Sequence, residues 1–266
     1  MTYDFQDIKE AYIKVGVEKG RTVMLRTDVR LLGPYNSDDQ RDLLPAHFNA
    51  LSELLDFGEG TLVVSASSTY LCNTDTPFDP EKTRSERGVL TEYIRKQPGA
   101  VRSFHPFMSY VSIGKHADYI CNDVSRHAFG PETPKDRMLN LDTLYLGLGL
   151  EPRKTCTVVH HAEMMMGVPY RYTKEFCHPV VRNDGIRKEL FYLYVWYKEM
   201  ELRRNRNVNI FKHFIDSGYT FREAKLGKGK IYSYSMSEFY KSSVNFLKDD
   251  IYGWLDEPPE KRPYIE

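Results

Sequence analysis

Two apolar runs that fail to alternate constrain this chain most. GTLVVSAS (60–67) and LDTLYLGLGL (141–150) are hydrophobic at most inner positions, the pattern of strands covered on both faces. Segments with other periods separate them. FQDIKEAYIKVG (5–16) carries apolar residues at helical spacing and ends in glycine, and RTVMLRTDVRLLGPY (21–35) reads as a strand passing into a loop. SDDQ followed by HFNALSELLDF predicts a capped amphipathic helix near 38–56. GVLTEYIRKQPG (88–99) is a short helix stopped by Pro98-Gly99, and RSFHPFMSYVSIG (102–114) is loop, then strand. Val158 and Val159 are expected to end a buried strand, with a helix starting at Ala162. ELFYLYVWYKEMEL (189–202) reads as an antiparallel strand, and SMSEFYKSSVNFLKDDIYGWL (235–255) as a serine-capped C-terminal helix. This order predicts an α/β fold, three layers (α/β/α) around a mixed central sheet, formed by 1–266 as one domain with an excursion near 203–225 expected to cover an acceptor site.

Charge and composition remove several function classes. Lysine plus arginine and aspartate plus glutamate number 37 each, so no net field draws the chain to nucleic acid or an anionic membrane. Its opening residues mix acids and bases, and no stretch approaches the ~18 apolar residues of a span, which reads as cytoplasmic with no membrane partner. Cys72, Cys121, Cys156 and Cys177 lack the spacing of a zinc or disulfide framework, so no metal is expected. The 19 tyrosines and 14 phenylalanines then read as core and pocket wall rather than as a base-stacking platform. No nucleotide-binding glycine loop, HExxH or GxSxG is present, and there are no internal repeats.

Two histidine segments remain. In RSFHPFMS (102–109), Arg102, Ser103, His105 and Ser109 crowd a proline-interrupted loop. In TVVHHAEMMM (157–166), a histidine at a strand-to-helix corner meets helix N–H groups that favour the neutral ring, a base at pH 7. The bland alternatives are a packed or capping histidine at 160, a loop histidine bonded to backbone at 105, and core packing for Met164–Met166.

Four stretches resemble the aminoglycoside 3-N-acetyltransferase family. LRTDVRLLG (25–33) is similar to its VHSSLRSLG loop, and TDTPFDPEKTRSERGVLTEYIRKQPGAVRSFHPFMSYVSIG (74–114) resembles it throughout. YLGLGL (145–150) precedes TVVHHAE (157–163) at the family's spacing, and GKGKIYSYSMSEFYKSSVNFL matches its C-terminal segment. The resemblance implies acetyl-CoA as cofactor and direct transfer of an acetyl group to a small-molecule amine by a monomer or homodimer. The family's TxxHxAE histidine falls on His160, leaving His161 in the variable position.

A base is chemically required, since an ammonium has no lone pair and must lose a proton before attacking a thioester. Either Glu163, at i+3, or Glu201, where the family places an acid, would orient the ring; Glu201 is preferred because an i+3 glutamate more often caps its helix. The resemblance also places Arg26, Thr27, Asp28, Val29, Arg30, Gly88 and Val89 along CoA, with Arg102 and Ser103 near its phosphates. His105 and Ser109 would polarise the thioester carbonyl or bind the acceptor. Arg26-Thr27-Asp28 replaces the family's His-Ser-Ser, which puts its side-chain contacts in question. Asp75 and Asp79 either bind the acceptor ammonium or close an Asx turn, the second being preferred.

ELRRNRNVNIFKH (201–213) is basic, so Arg203, Arg204 and Arg206 at the acceptor entrance would favour an anionic amino sugar, such as a nucleotide-linked one, over a polycationic aminoglycoside. Antibiotic modification is the alternative acceptor reading, and a non-catalytic CoA-binding scaffold is the alternative of another class. A Cys156 nucleophile of the arylamine-transferase type has no motif to support it.

Overall fold

The computed structural model describes residues 2–152, 157–204 and 208–262. Helix α1 (Phe5–Lys14), strand β1 (Thr22–Thr27), α2 (Leu43–Leu55), β2 (Thr61–Ser65), α3 (Val89–Arg95), β3 (Val101–Arg102) and β4 (Tyr110–Gly114) form the first part. There follow α4 (Ala117–Cys121), α5 (Pro134–Asn140), β5 (Leu144–Leu148), α6 (Val158–Met166), β6 (Arg171–Arg182), β7 (Gly185–Trp196), α7 (Val208–Asp216), β8 (Phe221–Leu226), β9 (Gly229–Ser235) and α8 (Met236–Asp249). Seven strands make one sheet in the order β3-β4-β2-β1-β5-β9-β8.

Both faces of that sheet are buried, which is why its central runs are apolar throughout. Val23 and Leu25 of β1 join Ile8 and Tyr12 of α1, Leu51 and Leu55 of α2, and Leu90 and Ile94 of α3 in one core cluster. Met24, between them, points into a second cluster with Ile120, Met138, Val159, Phe214 and Phe239 from α4, α5, α6, α7 and α8. The expected three-layer, mixed-sheet architecture is therefore what forms. Strands β1, β2 and β5 run parallel, while β4 and β9 are antiparallel to their neighbours. The three parallel strands discharge their following loops at one edge, where α/β sheets place ligands.

Three expectations need correction. Val158 and Val159 begin helix α6 instead of ending a strand: Val158, Val159, Ala162 and Glu163 make a buried helical stripe, and Gly167, with φ 61°, stops it. Burial against the sheet overrides the β-branched preference of that pair. The antiparallel strand seen in ELFYLYVWYKEMEL is real but is β7, paired with β6 as a separate two-stranded ribbon, and it stops at Trp196. The excursion near 203–225 contains α7, which packs under the sheet, and most of β8, an edge strand of the central sheet. A segment that supplies core and a strand is not a cover over a site.

Candidate active site

At the edge where the parallel strands end lies a cleft of about 430 Å³ lined by Arg26, Thr27, Asp28, Val29, Arg30, Gly88 and Val89 together with Glu86, Arg87, Leu90 and Leu150. All seven residues placed along CoA by the resemblance in these two segments thus line one cleft. Gly88 sits before α3 with φ 105°, a left-handed conformation that favours glycine. Asp28 caps the following 3₁₀ turn (Val29–Leu32) and holds Arg30 through both carboxylate oxygens at 2.7 and 2.8 Å. The altered Arg-Thr-Asp therefore keeps a defined loop while changing what the loop presents.

The donor set in this cleft suits a polyanion. Thr27 Oγ1 and Arg87 Nε are buried with no hydrogen-bond partner among the described residues. Burial, and then the neighbouring charge of Arg26, push the Arg87 guanidinium below its usual pKa, so Glu86 at 3.2 Å does not fully offset the positive charge here. Unused donors and two mutually repelling guanidiniums are what phosphate groups would satisfy. The residues present fit CoA.

Buried contacts through Tyr110 and Lys135 run from the neighbourhood of Arg26 and Arg87 toward the helix that carries His160. Burial raises the Tyr110 phenol to about 12 against the pull of Arg26 and Arg87, and the Lys135 ammonium lies 5.7 Å over the Tyr110 ring. Lys135, itself buried, donates to Thr157 Oγ1 at 2.8 Å, and Thr157 precedes α6. Two positions into α6, His160 lies between Phe129 (5.5 Å between ring centres) and Trp254 (5.0 Å).

Glu163, one turn on and fully buried, puts Oε2 3.0 Å from His160 Nδ1 and 3.0 Å from Arg171 Nε. An Arg171 terminal nitrogen also lies 3.1 Å from Nδ1. The Glu163 carboxylate can only accept and the Arg171 guanidinium only donate, so the two ask for opposite tautomers at Nδ1; the one that hands Nδ1–H to Glu163 leaves the lone pair on Nε2. Arg171 compensates the buried carboxylate. Burial lowers the His160 pKa to about 4; Glu163 opposes this shift, while Arg171 and Lys135 reinforce it. The ring is neutral at pH 7 and free to take a proton.

Glu201 does not orient this ring. The chain turns after Trp196 through a 3₁₀ segment (Lys198–Met200), and Glu201 is an exposed left-handed corner paired with Lys261. Helix geometry, bringing i and i+3 together, decides for Glu163. His161 is buried under Tyr240, accepts from Gly130 N–H at 3.3 Å and lies 3.7 Å from Asp136, a packing role.

The RSFHPFMS loop also departs from expectation. Arg102 donates to Ser109 Oγ and to the carbonyls of Pro80, Thr83 and Ala66 at 2.5–3.1 Å, so its donors serve the fold. Buried Ser103 accepts from Tyr110 N–H, and buried Ser109 donates to the Ala66 carbonyl. His105 Nδ1 accepts from the N–H groups of Phe107 and Met108 at 3.2 and 3.1 Å, and its ring packs on Phe107 and Phe191. None of the four lines the donor cleft. Asp79 closes an Asx turn onto the N–H groups of Glu81 and Lys82, and exposed Asp75 meets Lys188 at 3.4 Å.

Arg203 is exposed, while Arg204 lies over Trp254 at 5.0 Å, on the indole that flanks His160. Cys156 and Arg206 lie outside the described residues. Arg171, Lys135, Phe129 and Trp254 were not legible as site residues, because only tertiary contact brings them to His160. Arg87 had a signal: it stands between two stretches already assigned to the donor.

Acid should loosen this protein. His47, bonded to the hydroxyls of Tyr3 and Tyr12, and His105 are each held by burial at about 3, below the ordinary 6.5 of an unfolded chain. The unfolded state therefore binds protons that the folded state refuses, and stability is full above pH 6.5 and lost as pH falls. Each such histidine costs about 1.4 kcal/mol per pH unit below 6.5. Melting temperature should decline from pH 7 to 5; a level profile contradicts the burial of these neutral rings.

Comparison with known proteins follows the same lines. The family described as Aminoglycoside 3-N-acetyltransferase matches residues 25–248. The Aminoglycoside N(3)-acetyltransferase III of Pseudomonas aeruginosa is 26% identical over 193 residues, covering 65% of this chain and 68% of that one. The Aminoglycoside N(3)-acetyltransferase VII of Streptomyces paromomycinus is 31% identical over 195 residues, 65% of this chain and 64% of that one. The solved structure described as AAC-IIIb binary with CoASH superposes with a TM-score of 0.81 at 21% identity, over 97% of this chain and 100% of that one, and shows a shared fold. With the family match extending over most of its length, the chain belongs to the aminoglycoside 3-N-acetyltransferase family and is an acetyl-CoA-dependent N-acetyltransferase.

Proposed function

We propose that His160 is the base that deprotonates the amine of an amino-sugar acceptor, with Glu163 holding the ring and the 26–30 and 86–90 segments holding CoA. The observation that carries this reading is the neutral His160–Glu163 pair, joined to the cationic cleft through Tyr110 and Lys135. Bound acetyl-CoA supplies the electrophilic acyl carbon. His160 Nε2 removes the ammonium proton as the nitrogen attacks, and Glu163 stabilises the imidazolium that results. Arg171, 3.0 Å from Glu163 Oε2, offsets the charge of that buried carboxylate. Walls of Phe129 and Trp254 limit water at the ring.

Family membership supports an aminoglycoside as acceptor. The charges beside the base, Arg171 and Arg204, work against a polycation and support an amino sugar carrying negative charge. Acetyl-CoA consumption measured with kanamycin-type aminoglycosides and with nucleotide-linked amino sugars, at low and high salt, separates the two. Efficient turnover of the first panel alone, unaffected by reversing the charge of Arg204, refutes the anionic-acceptor reading. Turnover of neither, with acetyl-CoA still bound, supports a binding protein over an enzyme.

A further inference from the structure

A second cleft, of about 710 Å³, opens beside Phe104 and is lined by Arg102, Arg126 and Arg182. Asp123 also lines it, and three arginines converge on one further carboxylate, Glu189. Glu189 receives Arg182 Nε and a terminal Arg182 nitrogen at 2.7 and 2.8 Å, Arg187 Nε at 2.9 Å, and is also paired with Arg126. A carboxylate offers about four lone-pair sites, so these contacts saturate it. Hydrogen bonds from Arg182, then those from Arg187 and Arg126, hold its pKa far below the usual carboxylate range, so it stays an anion with nothing left to accept. The remaining N–H groups of Arg126 and Arg182 have no share in it. Arg182 is stacked 3.5 Å over the Phe104 ring, and Arg126 lies 4.9 Å over Phe191, which fixes both planar groups in place. Arg102, held by backbone carbonyls, adds charge behind them.

The same stretch of chain connects this cleft to the base. Residues 126–128 run extended beside β7, with Tyr192 N–H donating to the Arg126 carbonyl and Ala128 N–H to the Tyr192 carbonyl, both at 3.0 Å. His127 stacks on Tyr192 at 4.6 Å, and Phe129 is the wall of His160. Three residues of extended chain cover at most about 11 Å between Cα atoms. That separation sets the reach a single acceptor would need to address both places.

We propose that the Arg126–Arg182 cleft is a subsite for a phosphate group carried by the amino-sugar acceptor. This rests on the transferase reading above. A phosphate bears up to two charges and several acceptor oxygens, which match two fixed guanidiniums with spare donors. The phosphate belongs either to a sugar phosphate or to the diphosphate of a nucleotide-linked sugar, and the span from His160 suits the longer molecule.

The test uses the full-length protein saturated with CoA, so that the Arg26–Arg87 cleft is filled, and titrates uridine diphosphate and glucosamine 6-phosphate by calorimetry. At least one probe should bind, more weakly as salt rises, and Arg126→Gln should weaken it at least tenfold with CoA affinity and melting temperature unchanged. Arg182→Gln serves as the second variant. Tighter binding of uridine diphosphate identifies the nucleotide-linked source; tighter binding of the sugar phosphate identifies the other. Inhibition competitive with the amine and not with acetyl-CoA supports an acceptor subsite. Failure of both probes to bind, or binding indifferent to both variants, overturns the subsite while His160-dependent acetylation of a kanamycin-type amine would leave the transferase reading intact. Probe binding in a protein that acetylates no amine does the reverse, supporting an anion site and removing the transferase reading.

Discussion

His160→Ala should lower kcat by about 10²-fold or more while leaving acetyl-CoA affinity near wild type, because a general base acts in the transition state and has little hold on the bound thioester. Glu163→Gln should follow it, for a reason particular to the buried cluster. Glu163 faces His160 Nδ1 and is ion-paired with Arg171, and an amide in its place can turn its NH₂ toward Nδ1, selecting the tautomer with the proton on Nε2. Arg171 would also lose its counter-charge, so part of the loss will appear as stability. Glu201→Gln separates the two glutamates: it removes one exposed pair with Lys261 and should change kcat by less than twofold. Steady-state rates with acetyl-CoA and any acetylated amine decide the matter. If Glu201→Gln is the damaging variant, or His161→Ala exceeds His160→Ala, the assignment of this corner is wrong.

What could be read from sequence followed from how local the signal was. The central strands announced themselves because both faces of the sheet are covered, α1 through its apolar stripe, and α8 because its stripe and cap are local, Ser235 meeting the Glu238 N–H. The donor loops were found as segments, through motif, although the first of them has different side chains. Failures began where a decision depended on tertiary contact. Val158-Val159 has strand propensity and a helical burial stripe, and only the sheet beneath it chooses. The sequence favours Glu201 because an i+3 glutamate more often caps its own helix, but the ribbon ends at Trp196 and the turn carries Glu201 outward. Arg171 opens a strand whose polar residues, Arg171, Thr173, Lys174 and Glu175, hide its pairing with buried Glu163.

Arg102→Leu should cost several kcal/mol of stability and leave the affinity of the remaining folded protein for acetyl-CoA unchanged. Motif resemblance set Arg102 beside the CoA phosphates, and the two roles predict opposite outcomes. A phosphate ligand at the cleft would give a weakened CoA complex in a protein of normal melting temperature. The structure instead makes Arg102 the tie between Ala66, the 80–83 turn and Ser109, with four hydrogen bonds from one half-buried cation and its guanidinium 5.0 Å over Phe78. Burial lowers its pKa to about 10, still charged at pH 7. Charge-assisted bonds contribute about 1.5–3 kcal/mol each, and removing the donor leaves carbonyls without a partner, so a loss of about 3–5 kcal/mol follows once relaxation and water entry are allowed for. In a chain of this size that lowers the melting temperature by roughly 10 °C. Arg102→Lys tests the geometry: it keeps the charge but not the planar fork, reaches fewer of the four acceptors and should fall between wild type and Arg102→Leu. Thermal melts beside CoA titrations below the transition distinguish the outcomes, and a CoA affinity reduced tenfold at an unaltered melting temperature would return Arg102 to the phosphates.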